Sequence, residues 1–282
     1  MIRSNCVCKT NATFTAYIVY NNETVFKEYD GSIIGKCNTC GILKTFPSGK
    51  NKQFDPFITK SEDYENRRKE FESLFSPIIA YVEKYTTPRS TILDVGCSSG
   101  ILLTLLKRKK YDVYGIEPNK QAYLFAKKKL KKNIFPGTLL PFSKKTNKKF
   151  DCIMYNHVLE HIENINQEFR LISRLLKKNG VLIVGVPNTD NIVFKIRQKY
   201  WEYLLPNEHI WHFDTNYLKK YLQVQKYKIL DTSFKDDERK SYPFHKKIYF
   251  TLLAFLNRIM HTGEAVLIVA SPSFPRKRES NL

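Results

Sequence analysis

Apolar positions in this chain gather into short unbroken runs separated by longer stretches of helical spacing. This is the alternation of a mostly parallel sheet buried on both faces by helices. TILDV (Thr91 to Val95), DVYGIE (Asp112 to Glu117), the start of NIFPGTLLPF (from Asn133), FDCIMY (Phe150 to Tyr155) and VLIVGVPN (Val181 to Asn188) read as five successive strands. YKILDTSF (Tyr227 to Phe234) and GEAVLIVAS (Gly263 to Ser271) supply a sixth and a seventh. Between Ser61 and Tyr85, Tyr64, Phe71, Leu74, Phe75, Ile78, Ile79 and Val82 recur at helical spacing, with Pro77 expected to break the run. Asn119 caps a helix to about Lys131, and Asp214 caps another to about Gln225. From Asn164 to Lys178, Ile165, Phe169, Ile172, Leu175 and Leu176 share a face, and Gly180 is expected to end the helix. A last helix, His245 to Met260, is apolar with basic flanks; packing on the sheet between strands six and seven is the expected use, against contact with a membrane surface. The fold class is α/β, doubly wound.

The N-terminal stretch has a different texture. ATFTAYIVY and TVFKEYDGS alternate like short strands and are flanked by two close cysteine pairs, Cys6 with Cys8 and Cys37 with Cys40. CNTCG has the form of a metal knuckle, two thiolates on a tight turn that glycine permits. Four thiolates suit zinc, and the alternative is a set of free cysteines, since the first pair is C-x-C and Asn5 stands where a regular knuckle has its cysteine. The expected division is a β module over 1–50, a polar linker over 51–60, the α/β domain over 61–272 and a disordered basic tail over 273–282.

The chain has 282 residues, 42% of them hydrophobic, enough for one large core and a small appendage. No run approaches the ~20 apolar residues of a membrane span, and no signal-peptide run opens the sequence, so a cytoplasmic location is expected. The formal net charge is +20. KRKK (Lys107 to Lys110), KKKLKK (Lys127 to Lys132) and KKTNKK (Lys144 to Lys149) match phosphate-binding clusters in composition. They also fall where helices should end, where cations complement the helix dipole, and that second reading is preferred.

The chemistry centres on TILDVGCSSG. A buried strand ending in an acid, Asp94, runs into a turn bounded by Gly96 and Gly100, the layout of a nucleotide-type cofactor site. The middle glycine that lets backbone approach a pyrophosphate is missing, which disfavours a dinucleotide. Glu117 lies 23 positions after Asp94, near the ~20 expected for an acid holding a ribose hydroxyl pair. LDVGCSSG, with the later GIEPN, FDCIMYNHVLEHI and NGVLIVGVPN, resembles the class I S-adenosylmethionine-dependent methyltransferases over roughly Glu65 to Pro272. The resemblance implies a Rossmann-like seven-stranded sheet with its last strand antiparallel, and S-adenosylmethionine as cofactor. It implies cofactor contacts from Asp94, Gly96, Cys97, Ser98, Gly100, Glu117, Pro118, Asn156 and His157, with Thr138 and Leu139 in place of the usual adenine-side acid. Ser98 stands where the family has a second glycine. Tyr64 is a lid contact by the same resemblance, or an aromatic packed on the core. The N-terminal cysteines resemble the zinc ribbon of small-molecule methyltransferases that act on sugars, with Cys6, Cys8, Cys37 and Cys40 as ligands.

Methyl transfer from a sulfonium needs alignment and, where the acceptor carries a proton, a base. Histidine suits that task because its unperturbed pKa is ~6.5. His157 follows the fourth strand. Glu160 and His161 complete an H-x-x-E-H string known as a zinc motif in proteases, but its place directly after a strand argues for a loop held by hydrogen bonds. WEYLLPNEHIWHFD (Trp201 to Asp214) holds both tryptophans and the string Glu208-His209, and is expected to build the acceptor pocket. It resembles segments of deoxysugar C-methyltransferases and of O-methyltransferases, which makes His209 the expected base with Glu208 beside it. His212 is either functional or structural. The reading is methyl transfer to a small molecule or sugar of a bacterial surface or secondary-metabolite pathway. The rivals are RNA methylation, against which stands the missing N/D-P-P-[YF] string, and cofactor binding without catalysis.

Overall fold

In the computed structural model, which describes residues 1–8, 10–21, 27–48, 68–237 and 242–273, the N-terminal sheet is antiparallel. It is built from β1 (Ile2–Ser4), β2 (Ala12–Val19), β3 (Ile33–Cys37) and β4 (Leu43–Phe46) in sequential order. The expected strand TVFKEYDGS is corrected where it is described. Lys27–Tyr29 is a 3-10 turn, and Gly31, in the left-handed region at φ +83°, redirects the chain into β3. The expected linker over 51–60, the lid contact Tyr64 and the tail beyond Ser273 lie outside the described residues.

The predicted first helix is divided into α1 (Arg68–Leu74) and α2 (Ser76–Tyr85). Pro77 opens the second, where its missing N–H costs nothing. Next come β5 (Thr91–Val95), α3 (Ile101–Arg108), β6 (Asp112–Glu117), α4 (Lys120–Leu130) and β7 (Ile134–Pro136). Residues after Gly137, expected as loop, instead form α5 (Leu139–Lys145), followed by β8 (Phe150–Asn156). Then α6 (Ile165–Leu175) ends before Gly180, and Leu176 already opens the long strand β9 (Leu176–Pro187), paired with Phe150. Gly180 therefore sits within the strand, where a Cβ would come within 3.0 Å of the Asp151 carbonyl oxygen. The chain closes with α7 (Ile192–Arg197), β10 (Trp211–His212), α8 (Thr215–Val224), β11 (Tyr227–Lys235), α9 (Phe244–Ile259) and β12 (Ala265–Pro272).

The second sheet has the order β11-β12-β9-β8-β5-β6-β7. Strands from β5 to β9 are parallel, and β12 runs antiparallel to both β9 and β11. The chain leaves β5 toward β6 on one side and reaches β8 on the other. The carboxyl ends of β5 and β8 thus flank a topological switch point, where open α/β sheets bind ligands. The three basic clusters fall at or just beyond the ends of α3, α4 and α5. Asn119 and Asp214 cap α4 and α8 as expected, accepting the Ala122 and Tyr217 N–H groups.

The two sheets share their cores. Phe14, Cys37 and Ile42 pack in one apolar cluster with Phe169, Trp211 and Leu182, and β10 extends the N-terminal sheet by pairing antiparallel with β4. Helix α9 departs from its expected place on the large sheet. Its Phe250 and Leu253 pack with Phe194, Trp201 and the N-terminal residues Tyr20 and Ile34, so it fastens the small sheet to the insertion after β9. Among the described residues no helix is long and apolar enough to cross a membrane.

Candidate active site

The turn after β5 is shaped by the residues on which it rests. The N–H groups of Gly96 and Cys97 both donate to the Ile116 carbonyl on β6, and Gly96 and Gly100 both take φ near +74°. A Cβ at Gly96 would meet Val158 at 2.5 Å. Ser98 adopts φ +47°, a left-handed backbone that costs an L-residue ~1–2 kcal/mol and which glycine takes freely. Its hydroxyl is buried with no hydrogen-bond partner among the described residues.

Asp94 and Glu117 end β5 and β6 side by side, each only 4% exposed. The Glu117 carboxylate accepts the N–H of Ser98 at 2.8 Å and that of Asn119 at 2.7 Å. Burial raises its pKa, against those two hydrogen bonds. Burial, reinforced by the charge of Glu117, pushes Asp94 up to about 8.

Both acids open onto a cavity of about 870 Å³. Gly96, Cys97, Ser98, Pro118, Thr138, Leu139, Asn156 and His157 line it. Gly100 does not; a Cβ there would meet Ala126 and Leu130 of α4 at 3.1–3.2 Å, so its freedom serves close helix packing instead. Phe71 and Leu74 of α1 form one wall. Glu168, Glu208, Asp236, Asp237 and Glu264 add further acids, giving an acidic cavity in a chain of net charge +20.

At the end of the cavity beyond Asn156 lies a cluster of imidazoles. His157 takes φ +54°, donates its N–H to the Gly185 carbonyl, and places Nδ1 3.5 Å from Glu160 Oε1. His209 Nδ1 donates to the Tyr203 carbonyl at 2.9 Å, leaving Nε2 4.0 Å from the same Glu160 oxygen. His161 Nδ1 donates to the Glu208 carbonyl at 2.8 Å. Burial holds His209 down to about 4. Burial alone would raise Glu160, but His157, His161 and His209 together hold it at about 2.

The structure places the remaining residues of this region as follows. His161 ties the loop through the Glu208 carbonyl, while Glu160 faces His157 and His209, its carboxylate oxygens without a closer hydrogen-bond partner among the described residues. Of the two alternatives for His212, the geometry matches the structural one: its Nε2 is hydrogen-bonded to the Thr45 hydroxyl at 2.8 Å, and it locks β10 to the N-terminal sheet. The tryptophans of the insertion are pins rather than ligand contacts. Trp201 donates to Glu264 Oε1 and Trp211 to the Ile162 carbonyl, both buried, and only Tyr203, Leu205, Glu208 and His209 of that segment reach the cavity. Glu160, which sequence reasoning gave a scaffolding part, is the shared neighbour of two cavity histidines. The H-x-x-E-H string was the signal for it.

The four N-terminal cysteines converge despite the irregular first knuckle. Sγ of Cys6 lies 3.6 Å from that of Cys40, Cys8 lies 3.8 Å from Cys37, and all four are mutually within 4.8 Å. Tetrahedral zinc with bonds of ~2.3 Å sets its sulfurs ~3.8 Å apart, so the set is compatible with that ion.

A seven-stranded sheet with β12 reversed, a glycine-bounded turn and an acid on each of the first two strands define the Rossmann-like methyltransferase class. A family profile described as a methyltransferase domain matches residues 65–232, more than half of the chain. The chain belongs to that family, as a class I S-adenosylmethionine-dependent methyltransferase. It is 35% identical over 100 residues to the ubiquinone biosynthesis O-methyltransferase of Pelagibacter ubique, covering 34% of this chain and 42% of that protein. To the protein of the same name from Rickettsia canadensis it is 28% identical over 168 residues, covering 55% and 70%. The match thus spans less than half of the length of the Pelagibacter protein. A SAM-dependent methyltransferase structure from Archaeoglobus fulgidus superposes with a TM-score of 0.54 at 19% identity, covering 74% of this chain and 96% of that one.

Proposed function

We propose that this protein transfers a methyl group from S-adenosylmethionine to a hydroxyl oxygen of a small molecule, a sugar or a phenol. One observation carries the reading: the glycine turn with its two acids and the His157–Glu160 pair line or adjoin a single cavity of about 870 Å³. That volume lies within the ~300–1,000 Å³ of small-molecule sites. The names of the curated relatives favour oxygen as the atom methylated.

The residues present suit the cofactor. The Ser98 hydroxyl, unpartnered among the described residues, and the buried Asp94 carboxyl with its raised pKa suit a polar, cationic ligand, and Glu117 is placed for a ribose diol. When bound, S-adenosylmethionine supplies a methyl carbon whose bond pair stays with sulfur as the new C–O bond forms. The chain's part is alignment and proton removal. His157, beside Asn156 at the edge of β8, takes the acceptor's proton on its imidazole, and Glu160 steadies the ring and the positive charge it gains. The strained backbone of His157 agrees with a residue held for function. His209 and Glu208 complete the acceptor wall. The four-cysteine cluster holds structural zinc and braces β4, to which the acceptor-side strand β10 is paired.

The test is transfer of label from methyl-labelled S-adenosylmethionine to a panel of sugars, nucleotide-sugars and phenols, with product mass and linkage determined. An O-methyl product is expected. Label appearing only on carbon or in RNA would refute the assignment.

A further inference from the structure

Glu160, His161 and His209 form a cluster of metal-ligating side chains at the acceptor end of the cavity. Glu160 is 1% exposed, yet neither of its carboxylate oxygens has a hydrogen-bond partner among the described residues. Of the three histidines around it, His157 faces the carboxylate through Nδ1 at 3.5 Å, whereas His161 and His209 donate from Nδ1 to the backbone carbonyls of Glu208 and Tyr203. A neutral imidazole so tied carries its lone pair on Nε2. His209 therefore turns a lone pair toward the Glu160 carboxylate at 4.0 Å, and the His161 ring stands edge-on to that of His209 with centroids 4.8 Å apart. A lone pair facing a buried carboxylate is favourable only when a proton or a metal cation lies between them, and burial opposes the proton on His209. A backbone carbonyl on the far ring nitrogen is also how proteins orient metal-ligating histidines.

We propose that Glu160, His161 and His209 bind a divalent first-row cation such as zinc, with its open position facing the acceptor end of the cavity. One donor atom from each residue lies within 4.8 Å of the other two. A tetrahedral ion with bonds of ~2.0–2.1 Å draws its donors to ~3.3 Å from one another, a contraction within reach of side-chain rotation. Two histidines and one carboxylate with a vacant fourth place is the donor set of catalytic rather than structural zinc. His161 and His209 line the cavity while Glu160 lies behind them, so an acceptor oxygen entering from the cavity meets the open position. This use of the site rests on the methyl-transfer reading; the binding of the ion does not. There the cation lowers the pKa of the acceptor hydroxyl, and the proton still leaves to His157, which is not among the three ligands.

The experiment is metal analysis of chelator-stripped protein reloaded with Zn²⁺ and dialysed, with Co²⁺ absorption as a second readout. The wild-type protein is expected to hold one equivalent that Glu160→Gln and His161→Ala both lose. Affinity at that site should fall by more than the ~10–100-fold typical of a supporting residue. Cys37→Ser and Cys40→Ser should leave that equivalent in place, and its cobalt spectrum should lack the strong charge-transfer bands of thiolate ligation. His161→Ala, at a partly exposed position, guards against a misfolded Glu160 variant, and melting curves of both confirm folding. Zinc content that depends only on the cysteines, with both cluster variants folded and unchanged in metal, overturns the proposal. Calorimetry with S-adenosylmethionine on the same samples separates the two claims, since lost cofactor binding with the second metal retained would count against the methyl-transfer reading alone.

Discussion

Glu117 accepts the backbone N–H of Ser98 at 2.8 Å, so the acid ending β6 holds the turn that follows β5 in its left-handed shape. The same carboxylate, through Asn119, also fixes the start of α4. One side chain thus organises both loops at the switch point. Ser98 pays for its backbone conformation with strain that glycine would not carry, and the Glu117 hydrogen bond is what offsets it.

Asp94 gives the site a pH signature. Its carboxyl is raised from the ordinary range to about 8 by burial and by Glu117, so the folded, ligand-free protein prefers it protonated. Stability from this group is complete below the unfolded pKa of ~3.9 and is lost as pH rises through about 8. A cationic cofactor favours the ionised form, so S-adenosylmethionine should bind with proton release below pH 8, its affinity rising with pH up to that point. Calorimetry at pH 7 in buffers of different ionisation enthalpy measures the protons released. Asp94→Asn should melt higher than wild type at pH 8 without ligand, and bind the cofactor more weakly.

His157→Ala should lower kcat by ~10²–10⁴-fold while leaving the dissociation constant of S-adenosylmethionine within a few-fold, because general-base loss affects the transition state rather than cofactor binding. Stopped-flow turnover with parallel cofactor titration checks it. A variant of undiminished kcat would return the base role to His209.

The cysteine cluster makes a structural prediction. Cys37→Ser or Cys40→Ser should remove one zinc equivalent and lower the melting temperature, since β3 and β4 bear on the shared core through Cys37, Ile42 and Trp211. Acceptor KM should rise because β10 pairs with β4, while cofactor affinity stays close to wild type. Metal analysis and differential scanning calorimetry read the outcome.

Trp201→Phe distinguishes a pin from a ligand contact. It removes the N–H that Glu264 Oε1 accepts at 2.9 Å and should cost ~1–3 kcal/mol of stability, with acceptor KM unchanged. Chemical denaturation and steady-state kinetics measure the two effects.

What the sequence disclosed, and what it withheld, follows from the range of each interaction. The β5 turn, Asp94, Glu117 and Asn119 act within one βαβ unit, and local spacing exposes them. The Thr45–His212 hydrogen bond and the β4–β10 pairing join residues more than 160 positions apart, and no periodicity records such a partner. Trp201 shows the same blindness. Aromatic density announces burial, but whether the burial is in a pocket or in a core depends on Glu264 and Phe194, elsewhere in the chain. The α6–β9 boundary was misplaced because a glycine that ends helices also permits the close approach of Asp151 inside a strand. Glu160 was visible as part of a string, but its meaning required His209 to fold against it.

The central claim, that the turn from Asp94 to Gly100 with Glu117 is a methyl-donor site, is tested most directly by titrating S-adenosylmethionine into wild-type protein and Glu117→Ala by isothermal calorimetry. Saturable binding of one equivalent per chain is predicted, with a dissociation constant between ~1 μM and ~1 mM. Glu117→Ala should weaken it at least tenfold, ~1.4 kcal/mol or more, through loss of a charged hydrogen-bonding group. Absence of any binding heat or thermal shift with the wild-type protein, or equal affinity in the variant, would contradict the account.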